Sequence, residues 1–366
     1  MAAYRFMDWE ISLRSDSAPK ALMVEVTSSC NYVCPHCFRF SSVNFREQDM
    51  SVALFEKTIE NALRSGVKRI VFSGWGEPTI HPNIIDMLAL TKSKGLQVVL
   101  NTNGFRLEEL ASDLVKLGVD EIYVSIDAFD VELYSKIRRG GNLSRVARGL
   151  LALKEEKLAK GSLKPYVKAI FTITKANVSH ISKAVEFAKE MMIWEVDYNI
   201  AIPYDSFTKS LDCLGDPVCL KSLEKELETA LLKVLESGVR VGKPNLKTRS
   251  SRSCPFATNR MLFVRSDGQI APCIYYSRTW TTIVGGVKRE VREVSLGNVA
   301  EMDLSEVWRS NNRQLMMLQL LLLPSCLDCE LVSSCSITLS NSFDCWGNAP
   351  SCSSCPYLHG LSFCPS

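Results

Sequence analysis

The chain has 366 residues, enough for one large domain with a sizeable core and a smaller one beside it. Its formal net charge of +3 is close to neutral, and no basic stripe of the kind that marks a dedicated nucleic-acid protein is present. The most apolar stretch, "LMMLQLLLLP" from Leu315 to Pro324, falls well short of the roughly 20 residues of a membrane-spanning helix, and it reads as a core helix stopped by Pro324.

Residues 1–20 form an N-terminal extension. "MAAYRFMDWEISLRSDS" carries early acidic residues and no continuous apolar core, so no signal peptide is expected and a cytoplasmic location is. From Ala21 to about Ile202, short β-branched runs alternate with stretches of helical periodicity. The expected strands are 21–27, 68–73, 96–101, 120–127, 167–174 and 196–202. Between the first two, "SVALFEKTIENALRSG" places Leu54, Phe55, Thr58, Ile59, Ala62 and Leu63 on one helical face, with Gly66 closing the end. Strands each followed by a covering helix imply a parallel sheet with right-handed crossovers. The expected fold is therefore α/β, a partial (β/α)6 TIM-like barrel over 21–210, with its chemistry in the loops at the carboxyl ends of the strands. Residues 211–253 read as a helical linker, with one amphipathic helix over 219–237 followed by "GKPNLKTRSSRS". Residues 254–366 form a small cysteine-rich domain holding nine of the fourteen cysteines.

That many thiols in a cytoplasmic chain point to metal rather than to disulfides. The four histidines, His36, His81, His180 and His359, form no pair at helical spacing, which disfavours a His-rich zinc or di-iron site. The first cluster, "SSCNYVCPHCF", lies at the end of the first strand. Cys30, Cys34 and Cys37 have the spacing to hold three corners of a 4Fe-4S cube. One iron would then stay open, as a catalytic metal site keeps a position for its ligand. A zinc knuckle on the same cysteines is the competing reading, and no nearby pair completes its tetrahedral set.

This CxxxCxxC at the end of a first strand resembles the radical S-adenosylmethionine enzymes, and later loops extend the likeness. "SGWGEP" looks like the family's Gly-Gly-Glu-Pro loop with Trp75 inserted or substituted; Gly74 and Gly76 would let the backbone approach the cofactor's ammonium, Glu77 would offer a negative charge and Pro78 would stiffen the turn. "NTNG", with Asn103, and "SIDA", with Ser125, resemble positions that line the cofactor, while Asp127 reads as a cap of the following turn. In "KIRRGG", Arg138 rather than Arg139 would meet the cofactor's carboxylate. The resemblance implies that an electron from a ferredoxin- or flavodoxin-type carrier enters the first 4Fe-4S cluster. S-adenosyl-L-methionine is then cleaved reductively, and a 5′-deoxyadenosyl radical takes hydrogen from the substrate. No side chain stands out as a general acid or base.

The C-terminal cysteines, Cys254 in "CPF", Cys273 in Gly268-x4-Cys273, and Cys326, Cys329 and Cys335 in "CLDCELVSSC", are similar to the SPASM extension, which carries auxiliary 4Fe-4S clusters. A zinc ribbon on Cys326 and Cys329 is the alternative. Where the extension usually has its next cysteine this chain has Leu339, and it offers Cys345, Cys352, Cys355 and Cys364 instead. Two cubes need eight thiolates and nine are available, so two auxiliary clusters are expected with the last ligands unassigned. Cys213 and Cys219 lie outside every pattern and read as ordinary buried thiols. Ile274, where the family often has an acid, argues against sulfatase maturation.

"GWGEP", "CPF" leading to Gly268-x4-Cys273, and "DCWGNAPSC" followed by Cys355 resemble radical maturases associated with tungsten-cofactor oxidoreductases. That likeness implies a protein or peptide substrate, a tungsten-containing aldehyde oxidoreductase or its cofactor. Modification of a ribosomally made peptide by thioether or carbon-carbon crosslinking is the alternative enzyme, and a non-catalytic iron-sulfur or zinc protein is the alternative class.

Overall fold

The computed structural model describes residues 3–12, 14, 16–248, 252–319 and 321–364. A two-stranded antiparallel hairpin, β1 (Ala3–Phe6) with β2 (Trp9–Ser12), precedes the body of the chain. The six expected strands all form: β3 (Ala21–Val24), β4 (Arg69–Phe72), β5 (Gln97–Thr102), β6 (Glu121–Ser125), β7 (Tyr166–Ile173) and β8 (Glu195–Ile200). They pair in parallel and in sequence order, as strand-helix-strand units require. The partial barrel is covered by helices α1 (Val52–Arg64), α2 (Ile84–Ser93), α3 (Leu107–Lys116), α4 (Val131–Ile137), α5 (Leu143–Ala159) and α6 (Ile181–Glu190).

The sheet continues beyond those six strands. Within the stretch read as a linker, β9 (Arg240–Gly242) adds in parallel to β8 and becomes one edge. On the other side β10 (Met261–Val264) pairs in parallel with β3, and β11 (Gln269–Ala271) pairs antiparallel with β10. A separate hairpin, β12 (Trp280–Val284) with β13 (Val287–Val291), precedes β14 (Gly297–Asn298), which completes the ten-stranded sheet beside β11. The barrel and the cysteine-rich region thus share one backbone ladder. All four residues of β10 are buried, and so short an apolar run has no period by which sequence could tell strand from helix.

Local rules explain most element ends. Ser51 caps α1 by accepting from the Leu54 amide, and Gly66 follows the helix with φ +75°. The buried face of α1 differs from the expected one at two places: Leu63 points outward and Asn61 inward. Asn61 Nδ2 donates to the carbonyls of Val299 (3.1 Å) and Met302 (2.6 Å), so a polar residue is buried as a tie to the C-terminal region. After α7 (Ser206–Ser210), Asp216 and Pro217 start α8 (Pro217–Ser237), and this turn brings Cys213 and Cys219 together as a disulfide. The pair is thus bonded, a correction to the expectation of two ordinary thiols; six-residue spacing across a capped helix start gave no sign of the approach. The expected helix at Leu315–Pro324 is displaced toward its N-terminus and spans Asn312–Gln319; Leu320 and residues 249–251 lie outside the described residues. Among the described residues no helix is long and apolar enough to cross a membrane.

One buried ion pair joins the two regions. Glu25, fully buried just after β3, is paired with Arg278 through both carboxylate oxygens. It also accepts from the Trp75 amide (2.8 Å) and the Ser266 hydroxyl (3.2 Å). Trp75, the residue that interrupts the expected glycine pair, donates its indole N–H to Ser277 (2.9 Å) and packs edge-on against Phe38, with ring centroids 4.7 Å apart. Arg278→Met would leave the Glu25 carboxylate buried without its cation. The expected loss is about 3–5 kcal/mol of stability, read as a lower midpoint in anaerobic urea unfolding, with a smaller loss in the Glu25→Gln/Arg278→Met double variant.

Candidate active site

The carboxyl ends of the parallel strands enclose a cavity of ≈ 280 Å³. Cys30, Cys34 and Cys37 line it from the loop after β3, and Gly74, Gly76, Glu77 and Pro78 from the loop after β4. Asn103 after β5, Ser125 at the end of β6 and Arg138 after α4 complete the set. All ten barrel residues singled out by sequence therefore face one space.

Close backbone approach holds these loops together. A Cβ on Gly76 would come within 2.4 Å of the Ser29 carbonyl, and the Glu77 amide donates to that same carbonyl at 2.8 Å. The Val33 amide donates to the Arg139 carbonyl (2.8 Å), so the "KIRRGG" segment clamps the cysteine loop, while the Arg139 side chain is exposed. Tyr204, in the loop after β8, donates its hydroxyl to the Pro35 carbonyl at 2.6 Å.

Glu77 is also held by local donors. Its carboxylate accepts from the Thr79 amide (3.1 Å), the Thr79 hydroxyl (2.6 Å), the Thr102 hydroxyl (2.6 Å) and the Asn103 amide (2.6 Å). It ties the second strand loop to the third. Burial raises its pKa, opposed by those hydrogen bonds. Asp127 caps nothing: Asp130 caps α4, and Asp127 Oδ2 lies 2.7 Å from Arg138 Nε while Oδ1 accepts from the Thr172 amide at 2.7 Å. This buried pair presents the Arg138 guanidinium at the cavity wall. His36 Nε2 is 3.6 Å from the same Asp127 oxygen, and burial pushes its pKa down to about 4, so the ring is neutral at neutral pH.

Several lining residues were not singled out from sequence. Thr172 and Asn199 are inward positions on β7 and β8 that strand alternation alone could have flagged. Ile274, Tyr357, Ser362 and Phe363 arrive from the C-terminal region, and only the tertiary fold brings them there.

The C-terminal thiols separate into two sets. Cys254, Cys273, Cys352 and Cys355 line a second cavity of ≈ 40 Å³, walled by Phe256, Tyr275, Tyr276 and Leu318. Cys345 has Cys326 and Cys335 as electrostatic neighbours and is itself exposed. Their loop is held by buried Arg289, which donates to the carbonyls of Val332 (2.6 Å) and Thr338, and Thr338 Oγ1 approaches Cys335 Sγ at 3.5 Å. The sets touch through Ser353, whose carbonyl accepts from the Cys326 amide (2.9 Å) and whose hydroxyl is 3.3 Å from Cys326 Sγ. Cys364 is an electrostatic neighbour of Cys273.

The donor sets suit a polynuclear cluster. The three barrel thiols border a common void, and four of the C-terminal thiols border another. Burial pushes Cys34 up to about 12 and raises Cys30 and Cys37, and in the inner set it pushes Cys352 up to about 12 and raises Cys254 and Cys273. Thiolates at such positions require a cation supplied with them.

Residues 24–188 match the Radical SAM superfamily, and residues 254–330 match the SPASM iron-sulfur cluster-binding domain. The tungsten-containing aldehyde ferredoxin oxidoreductase cofactor-modifying protein of Pyrococcus furiosus is 30% identical over 356 residues, covering 94% of this chain and 97% of the relative. A GTP 3′,8-cyclase of Helicobacter pylori is 28% identical over 268 residues, 70% of this chain and 80% of its own. The crystal structure of Streptococcus suis SuiB bound to S-adenosylmethionine superposes with a TM-score of 0.63 at 20% identity, covering 88% of this chain and 73% of that one.

Because backbone rather than a movable side chain confronts Gly76, Gly76→Ala is expected to displace the cysteine loop. Iron bound at the first site and S-adenosylmethionine retained in equilibrium dialysis should both fall sharply, while iron at the C-terminal sets persists.

Proposed function

We propose a substrate and a ligand assignment for this chain, which belongs to the radical SAM superfamily and carries its SPASM extension. The chain is an enzyme that cleaves S-adenosylmethionine reductively. The observation that carries the rest is the convergence of Cys30, Cys34 and Cys37 with Gly74, Gly76, Asn103, Ser125 and Arg138 around one cavity at the strand ends.

In this reading Cys30, Cys34 and Cys37 would hold a 4Fe-4S cluster through three thiolates, leaving one position open for S-adenosylmethionine. When bound, that cluster would supply the electron that breaks the cofactor's sulfur–C5′ bond, giving methionine and a hydrogen-abstracting 5′-deoxyadenosyl radical. The chain's own residues bind and orient. The Arg138 guanidinium, held by Asp127, meets the cofactor's carboxylate by a charge-assisted contact. Glu77 keeps the loops after β4 and β5 at fixed spacing, and Asn103 and Ser125 border the nucleoside portion. Trp75, Phe38 and Trp280 pack into a dry wall against solvent.

Cys254, Cys273, Cys352 and Cys355 hold an inner auxiliary 4Fe-4S cluster, and Cys326, Cys329, Cys335 and Cys345 an outer one. Ile274 and Tyr357, sequence neighbours of the inner set, line the active cavity, so that set lies next to the reaction. The enzyme acts as a maturase on a partner protein or its cofactor, a tungsten-containing aldehyde oxidoreductase, and takes electrons from a ferredoxin- or flavodoxin-type carrier. The near full-length likeness to the Pyrococcus furiosus cofactor-modifying protein supports that substrate.

Anaerobic reconstitution tests the assignment. The intact protein is expected to bind about 12 irons, and a Cys30, Cys34 and Cys37 triple alanine variant about 8, with 5′-deoxyadenosine formed only by the intact protein. Zinc in place of iron, or nucleoside from the triple variant, would defeat the reading. For the auxiliary sets, Cys345→Ser should cost about 4 irons while Cys364→Ser costs none; the reverse result would exchange their roles.

A further inference from the structure

The strand-end cavity has two unlike halves. On the thiol side each charged wall residue is already engaged: Arg39 meets Glu47 at 2.7 Å, Arg138 meets Asp127, and Glu77 holds its four donors. The opposite half is built from Thr172 of β7, Asn199 and Ile200 of β8, Ile202, and Ser362 and Phe363 of the C-terminal segment. None of these side chains is charged. An ion placed there would lose its water without gaining a partner.

The C-terminal segment reaches this half along the edge of the sheet. The Ile200 amide donates to the Leu361 carbonyl (3.2 Å), and the Ser362 hydroxyl donates to the Ile200 carbonyl. The Phe363 amide donates to Asn199 Oδ1 (2.6 Å), and the Asn245 amide to the Gly360 carbonyl (2.7 Å). The Phe363 ring stands beside Gly242 of β9, where a Cβ would lie 3.3 Å from it. The pairing of β9 with β8 ends at Gly242 and Asp197, so the segment occupies backbone groups at the end of β8 on which an extended chain would otherwise pair.

We propose that segment 357–364 is the specificity wall of the cavity. It takes the backbone positions that a peptide strand would need at the end of β8, beyond the residues of β8 that pair with β9. It leaves room for a compact, uncharged, hydrogen-bonding group that enters end-on and faces Thr172 and Asn199. The inference rests on the catalytic reading above and narrows its substrate to a neutral ring or side-chain group of a folded partner or cofactor.

Two measurements on the reconstituted full chain test it. Hydrogen exchange needs no turnover: the amides of Ile200 and Phe363 should be strongly protected, and exchange as fast as that of an exposed loop would overturn the wall. In the second, deuterium in 5′-deoxyadenosine formed without substrate is followed in perdeuterated glycerol, a neutral probe, and in perdeuterated acetate, a charged one. Phe363→Ala should raise incorporation from glycerol several-fold over wild type, with little from acetate. Equal labelling of wild type and variant, or acetate labelling equal to that from glycerol, would overturn the proposal. Absence of the nucleoside from every protein would count against the catalytic reading, and hydrogen exchange would still judge the wall.

Discussion

The architecture depends on the burial of one ion pair, Glu25 with Arg278. A carboxylate with no solvent exposure just after the first barrel strand is tolerable only when a cation and further donors complete its shell. Arg278, the Trp75 amide and Ser266 provide them, and two of those residues come from the cysteine-rich region. Docking of that region is therefore built into the electrostatics of the barrel. The same contact seats Trp75, and with it the glycine loop that borders the thiols.

The rest of the cavity follows from the same economy of charge. Asp127 holds Arg138 at the wall, and Glu77 is spent on fastening adjacent strand loops. Charges that are mutually satisfied do not recruit water, so the interior stays of low polarity, which is also why its thiols are raised. In such a site the remaining polar groups carry more weight in orienting a ligand.

Sheet continuity gives the C-terminal region its geometry. Because β10 pairs with β3 and β9 with β8, the polypeptide after the barrel returns to both flanks of the original strands. Cys273, followed by the cavity-lining Ile274, is placed by one flank; Ser362 and Phe363 reach the other. Ser353, next to Cys352, contacts Cys326 and so ties the two groups of thiols together.

Six strands, the start and end of α1 and α8, and the cysteine, glycine and arginine positions of the first cavity were legible in sequence, because each rests on local physics: side-chain period, capping and short-range spacing. Asp127 misled because a cap and a buried ion-pair partner look alike in one dimension, and only the fold sets Arg138 against it. Trp75 looked like an interruption, and the burial of Asn61 gave no sign, because their partners, Ser277, Val299 and Met302, lie some two hundred residues away. The Cys213–Cys219 bond, the convergence of Cys254, Cys273, Cys352 and Cys355 on one cavity and the return of Phe363 to Asn199 likewise depend on contacts distant in sequence or on one turn's path. The sequence by itself determined which elements form and which residues stand at the strand ends. The tertiary structure alone decided which charges neutralise one another and which chain segment closes the cavity, since those depend on long-range pairing that no local period encodes.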